Sequence, residues 1–262
     1  MARPDLQTLL EERFGEGLEV PAALAQNDAL QRIAGRASCR QFTDAAIDPQ
    51  LLEALCAVAL AAPSKSDLQQ RDFLIVTDPG VMAELKALLH AQSWIADAPA
   101  MIVVLANNRR QRQIQSWHDQ PFPNDHLDAF FNASVDAGIA LAFFIAAAEA
   151  AGLGCCPIST IRNHLEPVTD LLDLPDHVFP VAGLGVGWPA ETGDISPRLS
   201  GAATIHRDRF VDITRDQVEA YDDRRRAGQP GPGWSEAKAR MYAEPQRMDF
   251  GKIMRKIGFH LE

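Results

Sequence analysis

The sequence predicts an α+β protein, on three observations. Stretches with helical spacing of apolar residues outnumber strand-like runs, of which there are four or five. The two kinds do not alternate regularly. The most apolar stretch, "AGIALAFFIAAA", lies between Asp136 and Glu149 and falls short of the ~20 residues of a membrane span, so it reads as a buried helix. At 262 residues, with 47% hydrophobic and 23% charged content, the chain can bury a sizeable core.

An N-terminal helical piece comes first. Asp48 and Pro49 then form an N-cap and first-turn pair for the helix "QLLEALCAVALAA", which stops near Pro63. "FLIVT" reads as a buried strand, Asp78 and Pro79 open a helix to about His90, and "AMIVVLA" is the next strand. From about His126 to Ala151 the periodicity predicts one helix, roughly 39 Å long. Its second half is so apolar that burial on most sides is expected. Gly152 and Gly154 end it. "CCPIS" is short and extended, "NHLEPVTDLLDL" a helix, and "VFPVAGLGVGW" a strand. After the Gly- and Pro-rich "GWPAETGDISPRLSG" come a charged helix around "RDQVEAYDDRRRAG", a break at "GQPGPG", and two amphipathic helices, "WSEAKARMYA" and "FGKIMRKIGF". This C-terminal arm has little core signal and reads as a lid or an embrace of a partner chain.

A formal net charge of −10 leaves no broad basic face, which argues against nucleic-acid and membrane-surface roles. Any anion site is therefore local. The opening "MARPDLQTLLEERFGEG" lacks the apolar run of a secretory peptide, which predicts a cytoplasmic protein whose Cys39, Cys56, Cys155 and Cys156 are reduced. They read as small core residues, with a thiol switch at Cys155 and Cys156 as the competing reading. No spacing suits zinc, and no metal is expected.

Within "GRASCRQFTD", Arg36, Ser38 and Arg40 recur at every second position, so an extended segment would point all three to one side, as an anion requires. "APSKSDLQQRDF" packs Ser64, Lys65, Ser66, Asp67, Gln69 and Gln70 between a helix end and a buried strand, where sites and ordinary polar turns both occur. "SPRL" offers Arg198 after a proline. "STIRNHLE" places Arg162 near a helix start, where the macrodipole disfavours a cation unless an anion is near. "GLGVG" at 183–187 invites a dinucleotide fingerprint, but Trp188 and Pro189 follow where a helix should begin, so its glycines are expected to admit a close neighbour instead. No nucleophile elbow is present, and His118 and His126 flank what reads as a solvated loop.

In this order, "GRASCRQFTD", "APSKSDLQQ", "AQSWIADAP", "GLGCCPISTIRNHLEPV" and "GLGVGWPAETGDISPRL" resemble the FMN-dependent nitroreductase family, in its oxygen-insensitive, NADPH-preferring nitroreductase and flavin reductase branch. The resemblance implies a central, mostly antiparallel sheet flanked by helices, in an intertwined homodimer with an FMN core over 1–200 and a helical arm over 201–262 packing on the core or the partner subunit. It implies Arg36, Ala37, Ser38, Arg40, Ser196 and Arg198 at the phosphate end of FMN, and Ser64, Ser66, Asp67 and Gln69 at the ribityl chain and pyrimidine. It implies Gln92, Pro157, Ile158, Ser159, Thr160 and Arg162 near the ring. Arg224, Arg225 and Arg226 fall where the branch binds the NADPH 2′-phosphate, with a solvated helix face as the plain alternative.

Several positions depart from the branch. Asp67 stands where many relatives have Asn, Ser159 and Thr160 where close relatives have glycines, and Ser196 where a lysine is common. The implied function is a flavoprotein oxidoreductase whose FMN takes hydride from NADPH or NADH and reduces nitroaromatics, quinones or free flavins in a ping-pong cycle. No protein residue is expected as catalytic acid or base, because the flavin N5 carries the chemistry. The alternatives are a relative specialised as a dehalogenase or ene-reductase, and a non-catalytic flavin-binding or thiol-switch protein.

Overall fold

The computed structural model describes residues 4–15 and 17–262; Met1, Ala2, Arg3 and Glu16, part of the N-terminal segment read above, lie outside it. In chain order the helices and strands begin with α1 (Leu6–Phe14), α2 (Asp28–Ala34), α3 (Pro49–Leu60), β1 (Arg71–Val76) and α4 (Pro79–Leu88). They continue with β2 (Ala100–Asn107), α5 (Arg109–Trp117), α6 (Leu127–Ala150), β3 (Gly154–Ile158), α7 (Leu165–Leu171) and β4 (Val178–Gly187). Last come α8 (Gly201–Thr204), α9 (Arg215–Arg226), α10 (Trp234–Ala243) and α11 (Phe250–Lys256). Two compact units result, one of residues 38–192 with 247–262, the other of residues 1–37 with 193–246.

The first unit is built on a sheet of order β1-β2-β4-β3 in which every pairing is antiparallel. Caps start its helices as their residue types require: Asp48 accepts the Gln50 N–H at 2.9 Å ahead of Pro49, and Asp78 accepts the Val81 N–H at 2.9 Å ahead of Pro79. Strand β2 is apolar without alternation because both faces are covered. Ile102 meets Leu52, Leu55 and Phe144 of α3 and α6, while Met101, Val103 and Leu105 meet Leu85 of α4, Ile95 and Val168 of α7. Between β2 and β4 the register slips after Val104, leaving Val181 as an extra residue beside Pro180, which has no N–H for the ladder. Gly185 fulfils its expected role: a Cβ there would sit 2.8 Å from the Trp94 ring.

Helix α6 differs from its expectation. Ala129, Ala133, Asp136, Ala137, Ala140, Phe144 and Ala148 form one buried stripe, whereas Phe131 and Val135 on the opposite side are 59% and 40% exposed and Phe143, on the stripe's flank, is 45% exposed. Composition alone does not separate an apolar face packed on a sheet from one left open. Helix α5 has no counterpart in the sequence reading, since "RRQRQIQSW" buries nothing and has no apolar period to read. Its Arg112 holds Asp125 through two bonds, of 2.8 and 2.5 Å. After α11 the chain returns to β4, where the His177 N–H meets the Ile257 carbonyl at 2.9 Å and Phe259 closes edge-on against Phe130 and Phe179.

The second unit is helical. Leu6, Leu9 and Ala34 pack with Leu10, Val20, Leu30 and Ile195. Thr214 and Gln217 form a reciprocal capping box on α9. Asp222 joins α9 to α10 by accepting both the backbone N–H of Ser235, at 2.9 Å, and its hydroxyl.

Candidate cofactor site

In the helical unit the ends of three helices meet around arginines. Arg13 lies in the last turn of α1, where a cation suits the helix dipole, and is only 6% exposed. Its Nε donates to the Ala34 carbonyl at the end of α2 (2.8 Å), Nη2 to the Arg36 carbonyl (2.5 Å) and Nη1 to the Ser196 carbonyl (3.1 Å). The 196–198 segment is gripped further: Arg198 N–H donates to the Arg13 carbonyl (2.6 Å), Tyr221 hydroxyl to the Pro197 carbonyl (3.1 Å), and Arg224 to the Arg198 carbonyl. Beside this network opens a cavity of about 690 Å³ whose wall includes Arg13, Arg36, Arg198, Tyr221, Arg225 and Trp234. Arg36, Arg198 and Arg225 on one cavity wall suit an anion, since planar guanidinium forks match phosphate oxygens, while Arg13 adds positive charge but commits its fork to the three carbonyls.

In the sheet unit, Ser38 and Arg40 belong to a segment running past β3 and β4. Cys39 N–H donates to the Cys155 carbonyl at 3.0 Å, Ala190 N–H to the Gln41 carbonyl at 3.0 Å, and Phe42 bridges to Pro189. Cys39 is buried, whereas Arg40 is exposed, as alternation along an extended segment predicts. The loop 64–70 is held from beneath by Asp136 of α6, 1% exposed, whose two oxygens accept the Lys65 and Gln70 backbone N–H groups at 2.9 and 3.0 Å. Within it Ser66, Asp67 and Gln69 all adopt left-handed backbone, with φ of 50°, 55° and 52°. Three non-glycine residues in that region within four positions make a strained turn, of the sort that persists where surroundings over-determine it. Asp67 Oδ1 is occupied by the Gln69 side-chain amide at 3.0 Å, and Ser64 Oγ accepts the Gln69 N–H at 3.2 Å.

The structure brings Gln92 to the segment after β3: its side-chain amide donates to Thr160 Oγ1 at 3.3 Å, and its oxygen accepts from Trp94 Nε1 at 3.1 Å. Residues Ser159–His164 form a 3-10 turn. No residue from 157 to 164 has positive φ, so Ser159 and Thr160 sit there without backbone strain. Arg162 lies in the last turn of that 3-10 segment, three residues before α7 begins at Leu165, so it is near a helix start as expected.

A sequence model of the nitroreductase family matches residues 33–188, and one of that family's C-terminal domain matches residues 196–262. The chain belongs to the nitroreductase family. It is 30% identical over 247 residues to an FMN reductase [NAD(P)H] of Bacillus subtilis, covering 90% of this chain and 99% of that one. It is 32% identical over 197 residues to an oxygen-insensitive NADPH nitroreductase of Salmonella typhimurium, covering 74% and 79%. Among solved structures, NfrA2 of B. megaterium superposes with a TM-score of 0.85 at 32% identity, covering 90% of this chain and all of that one. The NADPH:FMN oxidoreductase of Vibrio harveyi, complexed with NAD+, gives 0.82 at 25% identity, covering 88% and 98%.

For a nitroreductase-family chain, the arginine triplet divides in an informative way. Arg224 donates to the Phe14 carbonyl at 2.6 Å as well as to Arg198, so it is a structural clamp. Arg226 pairs with Asp223 on α9. Arg225 lines the cavity, with Nη1 at 3.3 Å from the Tyr221 hydroxyl. Cys155 and Cys156 are buried neighbours on β3, where successive side chains point to opposite faces. Sequence reasoning missed Arg13, Asp136 and Arg247, whose guanidinium reaches Asn163 Oδ1 at 2.7 Å and the Ser159 carbonyl at 3.3 Å. Each acts through contacts between residues remote in sequence. Asp136 left one trace, a lone acid opening a long apolar run.

Proposed function

We propose that this protein is an FMN-dependent NAD(P)H oxidoreductase. The observation that carries it is the arginine-walled cavity, set in a chain of this family. Its volume of about 690 Å³ falls inside the range of about 300 to 1,000 Å³ usual for small-molecule sites. The donor set fits the group, because a phosphate monoester dianion is best met by guanidinium forks and hydroxyl donors. Arg36, Ala37, Ser38, Arg40, Ser196 and Arg198 are the residues proposed for the phosphate. Ser64, Ser66, Asp67 and Gln69 are proposed for the ribityl chain and pyrimidine, and Gln92, Pro157, Ile158, Ser159, Thr160 and Arg162 for the ring.

When bound, FMN accepts hydride from NAD(P)H and passes it to an acceptor such as a nitroaromatic, a quinone or a free flavin. The chain itself binds and orients. Arginines neutralise the phosphate, the strained 64–70 loop presents its polar groups in one fixed shape, and Gln92 braces Thr160. Arg225 is proposed for the donor's phosphate, since it alone of the triplet lines the cavity. The exposed apolar residues Phe131 and Val135 on the open side of α6 support a homodimer, with the arm over 201–262 proposed to pack on the core or the partner. Burial of all four cysteines supports a reducing, cytoplasmic setting.

The test is the visible spectrum of the purified protein, followed by anaerobic bleaching with NADPH and with NADH. A yellow protein bleached by either donor and recoloured by nitroaromatic or quinone supports the reading. A colourless protein that binds no added FMN ends it.

A further inference from the structure

We propose that Arg13 is a positioning residue for the phosphate end of the cofactor, contributed by a helix that precedes the family's matched region. This rests on the reading that Arg36 and Arg198 hold the FMN phosphate. The family match begins at residue 33, yet Arg13 on α1 makes the bonds that join the two arginine-bearing segments.

Its guanidinium donates to the carbonyls of Ala34 and Arg36 on one side and of Ser196 on the other, spanning 183 residues of sequence in the last case. Its own carbonyl receives the Arg198 N–H at 2.6 Å. The backbones on either side of the Arg36 side chain and at the start of "SPR" are thereby held by one buried fork. Tyr221 and Arg224 complete the grip, so that the three consecutive carbonyls of Ser196, Pro197 and Arg198 each accept from a side chain. A loop whose carbonyls are all engaged has little freedom to redirect Arg198, and the guanidiniums facing the cavity are set before an anion arrives. A lysine could not replace Arg13, because a single ammonium group does not reach three divergent acceptors in the geometry of a planar fork.

Full-length protein stripped of flavin would be titrated with FMN and with riboflavin, which lacks the phosphate, by following the quenching of flavin fluorescence. Arg13→Met is expected to weaken FMN by about 10- to 100-fold while riboflavin stays within about threefold of wild type. Arg13→Lys, which keeps the charge and loses the fork, should resemble Arg13→Met. Tyr221→Phe, which removes the bond to the Pro197 carbonyl and the contact with Arg225 Nη1, should lower the FMN-to-riboflavin affinity ratio by about threefold, and it decides the matter with Arg13→Lys if Arg13→Met does not fold. Wild-type FMN affinity in Arg13→Met, an equal loss for both flavins, or full rescue by lysine would overturn the inference. Arg36→Ala and Arg198→Ala separate the levels: if they collapse the ratio and the Arg13 variants do not, this inference alone fails. If they also leave the ratio at its wild-type value, the phosphate assignment fails and takes the inference with it.

Discussion

Asp136 receives the backbone N–H of Gln70 at 3.0 Å on one carboxylate oxygen while the other holds the N–H of Lys65 at 2.9 Å. One buried side chain on the long helix thus closes a turn containing three left-handed, non-glycine residues. An amide in its place could accept one N–H but would set its own N–H₂ against the second. Asp136→Asn should therefore lose about 2 kcal/mol of stability and lower Tm by about 4 to 8 °C. FMN affinity should fall as well. A thermal melt and a flavin titration that both match wild type would show that the clasp does not shape the loop.

Arg40→Ala is expected to cost about 1.5 to 3 kcal/mol of FMN affinity, or about 10- to 150-fold. Protein that purifies fully yellow and keeps its flavin through dialysis would remove Arg40 from the site.

Asp222 links two helices of the cavity unit, and its hydrogen bonds from the Ser235 side chain and backbone hold its carboxyl below the usual aspartate range. Because the folded-state value is depressed, its stabilisation is complete above the ordinary value of about 3.9 and is lost as pH falls through the folded value. Asp222→Asn should cost about 1 kcal/mol at pH 7, with the gap to wild type closing only under acid conditions. Urea midpoints between pH 7 and pH 3 report this, and a gap independent of pH would contradict it.

Cys155 joins the main core cluster, and Cys156 lies on the other face of β3. Two adjacent strand residues facing opposite ways do not close a disulfide. The Cys155→Ser/Cys156→Ser double variant should keep turnover within about twofold of wild type, at some cost in stability. Abolished turnover in folded, flavin-loaded protein would revive the thiol-switch reading.

Phe131 and Val135 lie one turn apart on the open side of α6. On the proposed homodimer, replacing both with Glu is expected to leave a monomer where wild type scatters as a dimer, because two charges cannot be buried there without partners. A mass unchanged from wild type would place the subunit contact elsewhere.

Much of the fold was legible because its signals are local. Asp48-Pro49 and Asp78-Pro79 announced two helices within a few residues, and "WSEAKARMYA" is the whole of α10. Where the signal was not local, reading failed in a specific way. Helix α5 has no apolar stripe because its contacts are polar, from Arg110, Gln111 and Arg112 to Asp72, the Leu68 carbonyl and Asp125, and the exposed half of α6 is as apolar as its buried half. Among the candidate site residues, spacing in an acidic chain marked Arg36 and Arg40, position between a helix end and a strand marked the 64–70 loop, and Arg198 entered through the family resemblance. The residues that hold them in place carried no such mark, because Arg13, Asp136 and Arg247 act on carbonyls or N–H groups far away in sequence.

The sequence by itself determined the class of the fold, through composition and periodicity, and the family, through the resemblance of five short segments; for the site it supplied an expectation, an anion met by closely spaced arginines. Only the tertiary structure decided that Arg224 braces a loop while Arg225 lines the cavity, that Ser159 and Thr160 need no special backbone, and that a helix outside the family match joins the two arginine-bearing segments. The reason is physical. A residue's type fixes what it can donate or accept, whereas which carbonyl lies within about 3 Å of it depends on how distant segments pack.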